Sequence, residues 1–284
     1  MAPDARRLLA MTTEYAVSRG CPEPYLRRIA EAGFTHIHWA HHFNTDFMYG
    51  DSEIEQIAWW LEDYGLTLLN VHGSVGFEKN YSSLLEYERQ AGVDLIRNRI
   101  DFAARLSASV VILHLPIKPE TIRDQAFWDQ VSRSFEDVSR FAYERGVRIA
   151  IENRPADDFI WLRMLLNRFD SDLMGLCYDA GHGNIGPCGL VHLDALRDRL
   201  LAIHLHDNDG AGDQHDLPFS GTVAWQKLIP LLAGSAYQGP ITIESNIRGY
   251  DMTDDVFLEK AYEAGLALDR MLNLARETQE VVEA

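Results

Sequence analysis

Cysteine is scarce in this sequence: Cys21, Cys177 and Cys188 are the only three among 284 residues. They form no Cys-x-x-Cys pair, so their spacing predicts neither a disulfide framework nor a cysteine-based zinc site. No apolar run approaches the roughly 18 residues of a membrane span, and residues 1–7 lack the apolar core of a signal peptide. We therefore expect a cytoplasmic protein with no membrane association, in which Cys177 is a small core residue.

Positive charge is also limited, because 26 Lys and Arg residues face 43 Asp and Glu residues, for a net charge of −17. Phosphate binding draws on Lys and Arg, so this balance makes a nucleic-acid partner unlikely. No linker rich in Pro, Gly or Ser divides the chain, and the 46% hydrophobic content is enough for a large core. We predict a single domain over residues 1–284, with a frayed tail at 277–284.

Eight short apolar segments alternate with eight helical segments. The predicted strands are residues 8–12, 35–39, 66–71, 109–113, 147–151, 173–178, 200–205 and 240–243. The predicted helices are residues 22–32, 51–64, 82–106, 119–145, 158–169, 190–199, 222–233 and 253–276. The strands are continuously apolar, as expected for strands buried on both faces. This order predicts an α/β fold, a single (β/α)₈ TIM barrel, with a doubly wound open sheet as the alternative.

Histidines and carboxylates end six of these strands. They are His72, His114, Glu152, Asp179, His204 and Glu244, and His182, Asp213 and His215 lie in the loops that follow. In a TIM barrel the carboxyl ends of the strands meet at one mouth. Carboxylates crowded together stay ionised only beside a cation. Oxygen ligands with His and without Cys suit Mn²⁺ or Zn²⁺, with Co²⁺ or Mg²⁺ as further options, so we predict a divalent metal ion held by Glu152, Asp179, His204 and Glu244.

Four other residues are candidates for substrate binding. His38 and Trp39 follow the second strand and could form a pocket wall, because such rings stack on a sugar face; ordinary loop packing is the alternative. His206 lies two residues after His204 and is a further candidate. Arg248 follows Glu244 and could bind a substrate phosphate, or it could be a solvated loop residue.

Several short motifs at the strand ends resemble those of the xylose-isomerase-like barrels, a superfamily that includes tagatose 3-epimerase-type sugar epimerases and endonuclease IV. The matching pieces are Val71-His72-Gly73, Leu113-His114-Leu115-Pro116, Ile151-Glu152-Asn153-Arg154, Cys177-Tyr178-Asp179-Ala180-Gly181-His182, Ile203-His204-Leu205-His206-Asp207 and Thr242-Ile243-Glu244-Ser245. Together they cover nearly the whole chain in order. They are specific to the superfamily and not to one activity.

The resemblance to the epimerases implies one metal ion on the four predicted ligands. It also implies that Glu152 and Glu244 exchange protons with a substrate carbon from opposite faces, through an enediolate, while His182 and Arg154 hold substrate oxygens. Gly210 lies about where those epimerases carry an arginine, which is a departure from their pattern. A dimer or tetramer is expected from the same resemblance.

The resemblance to endonuclease IV implies three zinc sites instead. These would be His72, His114 and Glu152; then Glu152, Asp179, His204 and Glu244; then His182, Asp213 and His215. Against this reading, the predicted mouth is rich in acids, including Glu78, Asp207, Asp209 and Asp216, whereas a DNA groove is basic. Residues 73–78 also do not resemble the DNA-inserting loop of that nuclease.

The sequence therefore predicts a divalent-metal-dependent isomerase or epimerase of carbohydrate metabolism, acting on a sugar or sugar derivative. The alternative is a multinuclear zinc phosphodiesterase, or another metal-dependent hydrolase or lyase, on the same ligands. A non-catalytic sugar-binding protein with a structural metal is the third hypothesis.

Overall fold

A computed structural model of the protein describes residues 8–16, 19–115, 124–155, 158–186 and 188–283. Its sheet contains eight parallel strands in the order β7-β6-β5-β4-β3-β2-β1-β8. The strands are β1 (Leu9–Thr12), β2 (His36–Trp39), β3 (Thr67–His72), β4 (Val110–His114), β5 (Arg148–Glu152), β6 (Met174–Asp179), β7 (Leu200–His204) and β8 (Ile241–Ile243). Each strand therefore lies next to its neighbour in sequence, and β1 lies next to β8.

The sheet closes between β7 and β8. Leu205, directly after β7, forms a parallel bridge with Ile243. Its backbone N–H donates to the Thr242 carbonyl at 3.0 Å, and its carbonyl accepts from the Glu244 N–H at 3.0 Å. An open sheet would leave both strands as edges, so the predicted (β/α)₈ barrel is confirmed.

Nine α-helices are found in the described residues. They are α1 (Glu23–Glu31), α2 (Asp51–Asp63), α3 (Glu86–Arg105), α4 (Gln125–Tyr143), α5 (Asp158–Arg168), α6 (Ala180–Ile185), α7 (Gly189–Leu196), α8 (Trp225–Ala233) and α9 (Asp254–Glu283), with a 3₁₀ turn at Arg197–Arg199. Within the described ranges, none of these helices combines the length and the apolar character that a bilayer span requires.

Several helix boundaries differ from the prediction. α3 begins at Glu86 rather than residue 82, because Ser82 and Ser83 use their side chains in a local turn with Asn80 and Leu85. α9 continues to Glu283, beyond the predicted end at residue 276. α8 begins at Trp225 rather than residue 222. The predicted start of α4 at residue 119 lies outside the described residues.

The short helix α6 was not predicted. Its N-cap is Asp179, whose carboxylate accepts a hydrogen bond from the His182 N–H at 2.6 Å. An acidic N-cap of this kind satisfies one of the free N–H groups at a helix start. The sequence signal was present in the Asp179-x-x-His182 spacing, but the segment is less than two turns long.

The interior of the barrel is apolar at one level and polar at the next. Val110, Ile112, Ala150, Cys177 and Ala202 form a small buried cluster of their own, apart from the main core between strands and helices. Cys177 is thus a core residue as predicted, and burial raises its pKa to about 12. Side chains alternate along a strand, so residues two further on also face inward. The next inward residues include His114, Glu152, Asp179 and His204.

Candidate metal centre and active site

The four predicted metal ligands lie together at the carboxyl end of the barrel. One donor atom from each of Glu152, Asp179, His204 and Glu244 lies within 4.8 Å of the others, and all four residues are buried. Strand register explains this: His114 is paired with Glu152, and Asp179 with His204. Neighbouring parallel strands therefore present these side chains at one height.

Glu152 has one oxygen surrounded by histidines. Its Oε2 atom lies 3.2 Å from His72 Nε2, 3.1 Å from His114 Nε2 and 3.3 Å from His204 Nδ1. Burial raises the pKa of Glu152, but the charges of His114 and His204 outweigh it and hold the pKa well below its usual value. Burial lowers the pKa of His72 to about 4, so that ring is neutral.

Glu244 also approaches His204. Its Oε2 atom lies 2.9 Å from His204 Nδ1, the same nitrogen that faces Glu152. Burial raises the pKa of Glu244, but His204 outweighs this effect and the pKa lies well below its usual value. Burial lowers the pKa of His204, while Cys177, Glu244 and Glu152 raise it well above its usual value. In the absence of a metal, a proton on His204 therefore balances the two glutamates.

Asp179 is held in place by Asn153, a residue that lies in one of the sequence motifs but had no predicted role. The Asn153 side chain accepts from the Asp179 N–H at 2.8 Å and donates to the Asp179 carbonyl at 3.1 Å. On the other side, His206 Nε2 lies 3.1 Å from Asp179 Oδ2. Residues that follow β5 and β7 therefore hold the Asp179 backbone and carboxylate at the end of β6.

Asp213 forms a second cluster beside the first. Its Oδ2 atom lies 3.2 Å from His182 Nε2 and 3.3 Å from His215 Nε2, which agrees with the predicted grouping of these three residues. The structure adds His206, whose ring stacks on His215 at 4.0 Å. Donor atoms of His206, Asp213 and His215 lie within 4.8 Å of one another. Burial lowers the pKa of His215, but Asp213 outweighs it and raises the pKa to about 10.

The donor atoms at the centre fit a divalent cation. Several of them are buried and have no hydrogen-bond partner: His38 Nε2, His114 Nε2, Glu152 Oε2, both nitrogens of His204 and Glu244 Oε2. Buried polar atoms without partners cost about 1–3 kcal/mol each, so a cluster of them requires an explanation. The Cys177 sulfur also lies within 4.8 Å of donor atoms of Glu152 and His204, but its raised pKa keeps it a protonated thiol. The remaining oxygen and imidazole donors are the set that Mn²⁺ or Zn²⁺ accepts.

A small cavity of about 220 Å³ opens above this centre. Its lining consists of Thr12, Glu14, Phe43, His72, His114, Glu152, His182, Asp213, His215, Glu244, Asn246 and Arg248. Pockets for drug-sized ligands usually measure about 300–1,000 Å³, so this cavity suits a smaller molecule. Thr12, Glu14 and Asn246 were not predicted from the sequence. They lie at or after strand ends, but their residue types alone do not indicate chemistry.

The prediction that Trp39 forms a pocket wall is wrong. Trp39 is fully buried, its Nε1 donates to the Tyr49 hydroxyl at 2.8 Å, and its ring packs on Phe102 of α3 at 5.2 Å. Side chains alternate across a strand, so when His38 points into the barrel, Trp39 points toward the helices.

His38 and His206 are also fully buried and are not among the residues that line the cavity, and their substrate roles stay predictions. Arg248 does line it: the side chain is 67% exposed and its Nη2 lies 3.5 Å from Glu14 Oε1. Arg154 is exposed just after β5. The substrate roles of these two arginines stay predictions.

Asp207 is a structural residue and not one of the acids of the mouth. It is fully buried, and its carboxylate accepts from the Phe219 N–H at 3.0 Å, the Val223 N–H at 2.9 Å and Trp225 Nε1 at 2.9 Å. These bonds hold the loop between β7 and α8. The same loop carries Asp213 and His215, so the hydrogen bonds of Asp207 also help to position the second cluster.

We expect Gly181→Ala to destabilise the protein by about 1–3 kcal/mol, the usual cost of overpacking. A Cβ atom at Gly181 would lie 1.9 Å from His206 Cε1, and that ring cannot retreat because it stacks on His215. The gain from removing a helical glycine, at most about 1 kcal/mol, does not offset the clash. Urea unfolding of the metal-free protein measures the change.

Gly212→Ala is the matched control, because its nearest neighbour is the flexible Gln214 side chain at 3.1 Å. Its unfolding free energy should stay within about 0.5 kcal/mol of the parent value. Equal stability of the two variants would show that His206 is not tightly seated.

The chain matches a known family of barrels over most of its length. Residues 26–271 match the family model of the xylose isomerase-like TIM barrel. The chain belongs to this family. A protein named y4fM from Sinorhizobium fredii is 35% identical over 276 residues, which cover 88% of this chain and 89% of that protein. The predicted resemblance to the superfamily is therefore confirmed.

Two further relatives of this xylose isomerase-like barrel carry enzyme names. Fructoselysine 3-epimerase of Shigella flexneri is 22% identical over 237 residues, which cover 78% of this chain and 84% of that enzyme. A solved structure of L-ribulose 3-epimerase superimposes with a TM-score of 0.78 at 17% identity, covering 99% of each chain. At this identity the structural match shows a shared fold.

Proposed function

We propose that the protein is a divalent-metal-dependent isomerase or epimerase acting on a sugar or sugar derivative. The observation that carries the proposal is the placement of Glu152 and Glu244. Both carboxylates approach the same atom, His204 Nδ1, at 3.3 and 2.9 Å, and both line the floor of the small cavity. Two carboxylates that reach one point form a pair in which one can remove a proton and the other, once protonated, can return one.

The chemistry follows from that pair. Epimerisation next to a carbonyl requires one base to take a proton from carbon and a second acid to return a proton to the opposite face. The low pKa values of Glu152 and Glu244 keep both carboxylates ionised, so one can take the proton from carbon, and the other first takes a proton from solvent and then returns it to the opposite face. A divalent ion held by Glu152, Asp179, His204 and Glu244 would polarise the substrate carbonyl and lower the barrier to proton removal.

Relatives and pocket size support the same substrate class. The fructoselysine and L-ribulose 3-epimerases are both named for inverting a sugar carbon, which is the kind of reaction proposed here. The cavity of about 220 Å³ suits a molecule of monosaccharide size. Assembly into a dimer or tetramer is part of the proposal, as expected from the resemblance.

A multinuclear zinc hydrolase is the second candidate. The observation in its favour is that donor atoms of His72, His114 and Glu152 also lie within 4.8 Å of one another, beside the Asp213 cluster. Against it, Arg248 is the only Lys or Arg among the described residues that line the cavity, whereas phosphate contacts need several. Elemental analysis separates the two: about three zinc ions per chain would favour the hydrolase, and a single ion the epimerase.

Incubation in heavy water tests the proposed reaction. A ketose or 3-keto-sugar substrate should gain deuterium at the carbon beside its carbonyl, because the proton on Glu152 or Glu244 exchanges with solvent between removal and return. Proton NMR and mass spectrometry of recovered sugars measure the uptake over a panel of ketoses. No uptake by any sugar, together with cleavage of abasic DNA, would replace this proposal by the hydrolase.

A further inference from the structure

His38 lies next to Glu244, and only one of its two ring nitrogens has a hydrogen-bond partner. The residue is 0% exposed, and its Nδ1 atom lies 2.6 Å from Asn70 Oδ1. Asn70 is paired with His38 in the register of β2 and β3 and is itself buried. An amide oxygen only accepts hydrogen bonds, so the His38 proton is on Nδ1. In the neutral ring Nε2 then carries a lone pair and no hydrogen.

The Nε2 atom of His38 lies near another acceptor without a hydrogen bond to it. It lies 3.4 Å from Glu244 Oε1, and it has no hydrogen-bond partner although it is buried. A lone pair facing a carboxylate oxygen is unfavourable unless a cation lies near both. The His38 ring is also 4.3 Å from the His204 ring, and donor atoms of His38, His204 and Glu244 lie within 4.8 Å of one another.

We infer that His38 is a fifth protein ligand of the metal ion, bound through Nε2, and that Asn70 sets its tautomer. The inference rests on the proposed metal-dependent function and adds to its four ligands. A histidine that binds a metal almost always donates its other N–H to an oxygen acceptor, and Asn70 Oδ1 is that acceptor here. A buried histidine with a purely structural role has partners for both nitrogens; His38 has one.

His38 and Asn70 then have different roles toward the metal. His38 contributes an imidazole from β2, a strand that supplies none of the four proposed ligands. Asn70 contributes no atom to the metal and acts through the orientation of the His38 ring. Loss of His38 removes a donor atom. Loss of Asn70 removes the acceptor that keeps the proton on Nδ1, so the tautomer with the proton on Nε2, near Glu244, becomes accessible.

Binding of Mn²⁺ to metal-free protein tests both roles without reference to activity. Titration followed by the EPR signal of free Mn²⁺ gives the Kd. In His38→Gln we expect the Kd to rise on the order of 10- to 100-fold, and in Asn70→Leu about 10-fold, as for losses of ligands and of their supporting partners. Asn70→Asp keeps an acceptor for the Nδ1 proton and should recover most of the affinity lost in Asn70→Leu.

Pulsed EPR of the Mn²⁺-loaded protein counts coordinated imidazole nitrogens directly. We expect two imidazoles in the parent protein and in Asn70→Asp, and one in His38→Gln. His36→Gln is the matched control: His36 lies on the same strand, its Nδ1 contacts the Thr35 hydroxyl at 2.8 Å, and it should change neither the Kd nor the count. Circular dichroism establishes that each variant is folded.

The outcomes separate this inference from the proposed function. If the parent protein binds Mn²⁺ through one imidazole, and folded His38→Gln binds it equally well, the inference is wrong and the metal-dependent function stands. If the parent protein binds no divalent ion, both fall. If His38→Gln does not fold, Asn70→Leu decides, and an unchanged Kd in that variant overturns the inference.

Discussion

Glu152→Gln should lower kcat on the order of 10²-fold or more, because the amide keeps the size and one oxygen of the side chain but cannot accept a proton from carbon. Glu152 is the most connected carboxylate of the centre, with one oxygen facing three histidines. Glu244→Gln should have a comparable effect, because its carboxylate approaches the same His204 nitrogen. The measurement is kcat and KM on whichever sugar exchanges deuterium, with metal content determined on the same samples.

Glu55→Gln provides the control for this substitution, because Glu55 is exposed on the outer helix α2. It should leave kcat unchanged. If metal-loaded Glu152→Gln and Glu244→Gln both turned over at the parent rate, neither carboxylate would be the proton carrier. If only the metal content fell, the residue would be a ligand without an acid–base role.

Removal of the metal by chelation should abolish activity and lower stability together. Three buried carboxylates, Glu152, Asp179 and Glu244, share one small volume, and a divalent ion would compensate their charges. A ligand that binds only the folded state stabilises it by about 2.7 kcal/mol at 100 times its Kd. Thermal unfolding and initial rates, measured on stripped protein before and after addition of Mn²⁺ or Zn²⁺, give both effects.

Glu244→Ala is the matched variant for the chelation experiment. It removes one donor of the centre, so it should lose tight metal binding and activity together, and added Mn²⁺ should raise its Tm much less than that of the parent protein. Full activity in thoroughly stripped parent protein would contradict the metal-dependent mechanism. Recovery with Mn²⁺ but not with Mg²⁺ would show a preference for the ion that accepts imidazole more readily.

The amino-acid sequence was sufficient for the barrel and for the residues that end its strands. Continuous apolar strands alternating with helices leave few folds to choose from, and parallel strands bring their carboxyl ends to one mouth. For that reason the sequence alone places Glu152, Asp179, His204 and Glu244 together, and in the folded chain their donor atoms lie within 4.8 Å of one another. Their chemical roles remain predictions.

The direction in which each side chain of β2 points could not be predicted from the sequence and is known only from the structure. His38 and Trp39 look equivalent in sequence, but one points into the barrel and the other packs on Phe102. The register between β2 and β3 shifts between Ile37 and His38. Such a shift has no reliable signature in sequence, and it brings His38 opposite Asn70. The partner of His38, and with it the free Nε2, was therefore decided by tertiary structure.

The loop between β7 and α8 is a second case. In sequence, Asp207, Asp209, Asp213 and Asp216 are similar acids in one polar segment. In the structure Asp207 is buried under hydrogen bonds from residues 12 to 18 positions later, while Asp213 lies among three histidines. Strand ends follow from local hydrophobic pattern, whereas the use of each loop carboxylate depends on contacts between residues distant in the chain, and only the folded chain brings those residues together.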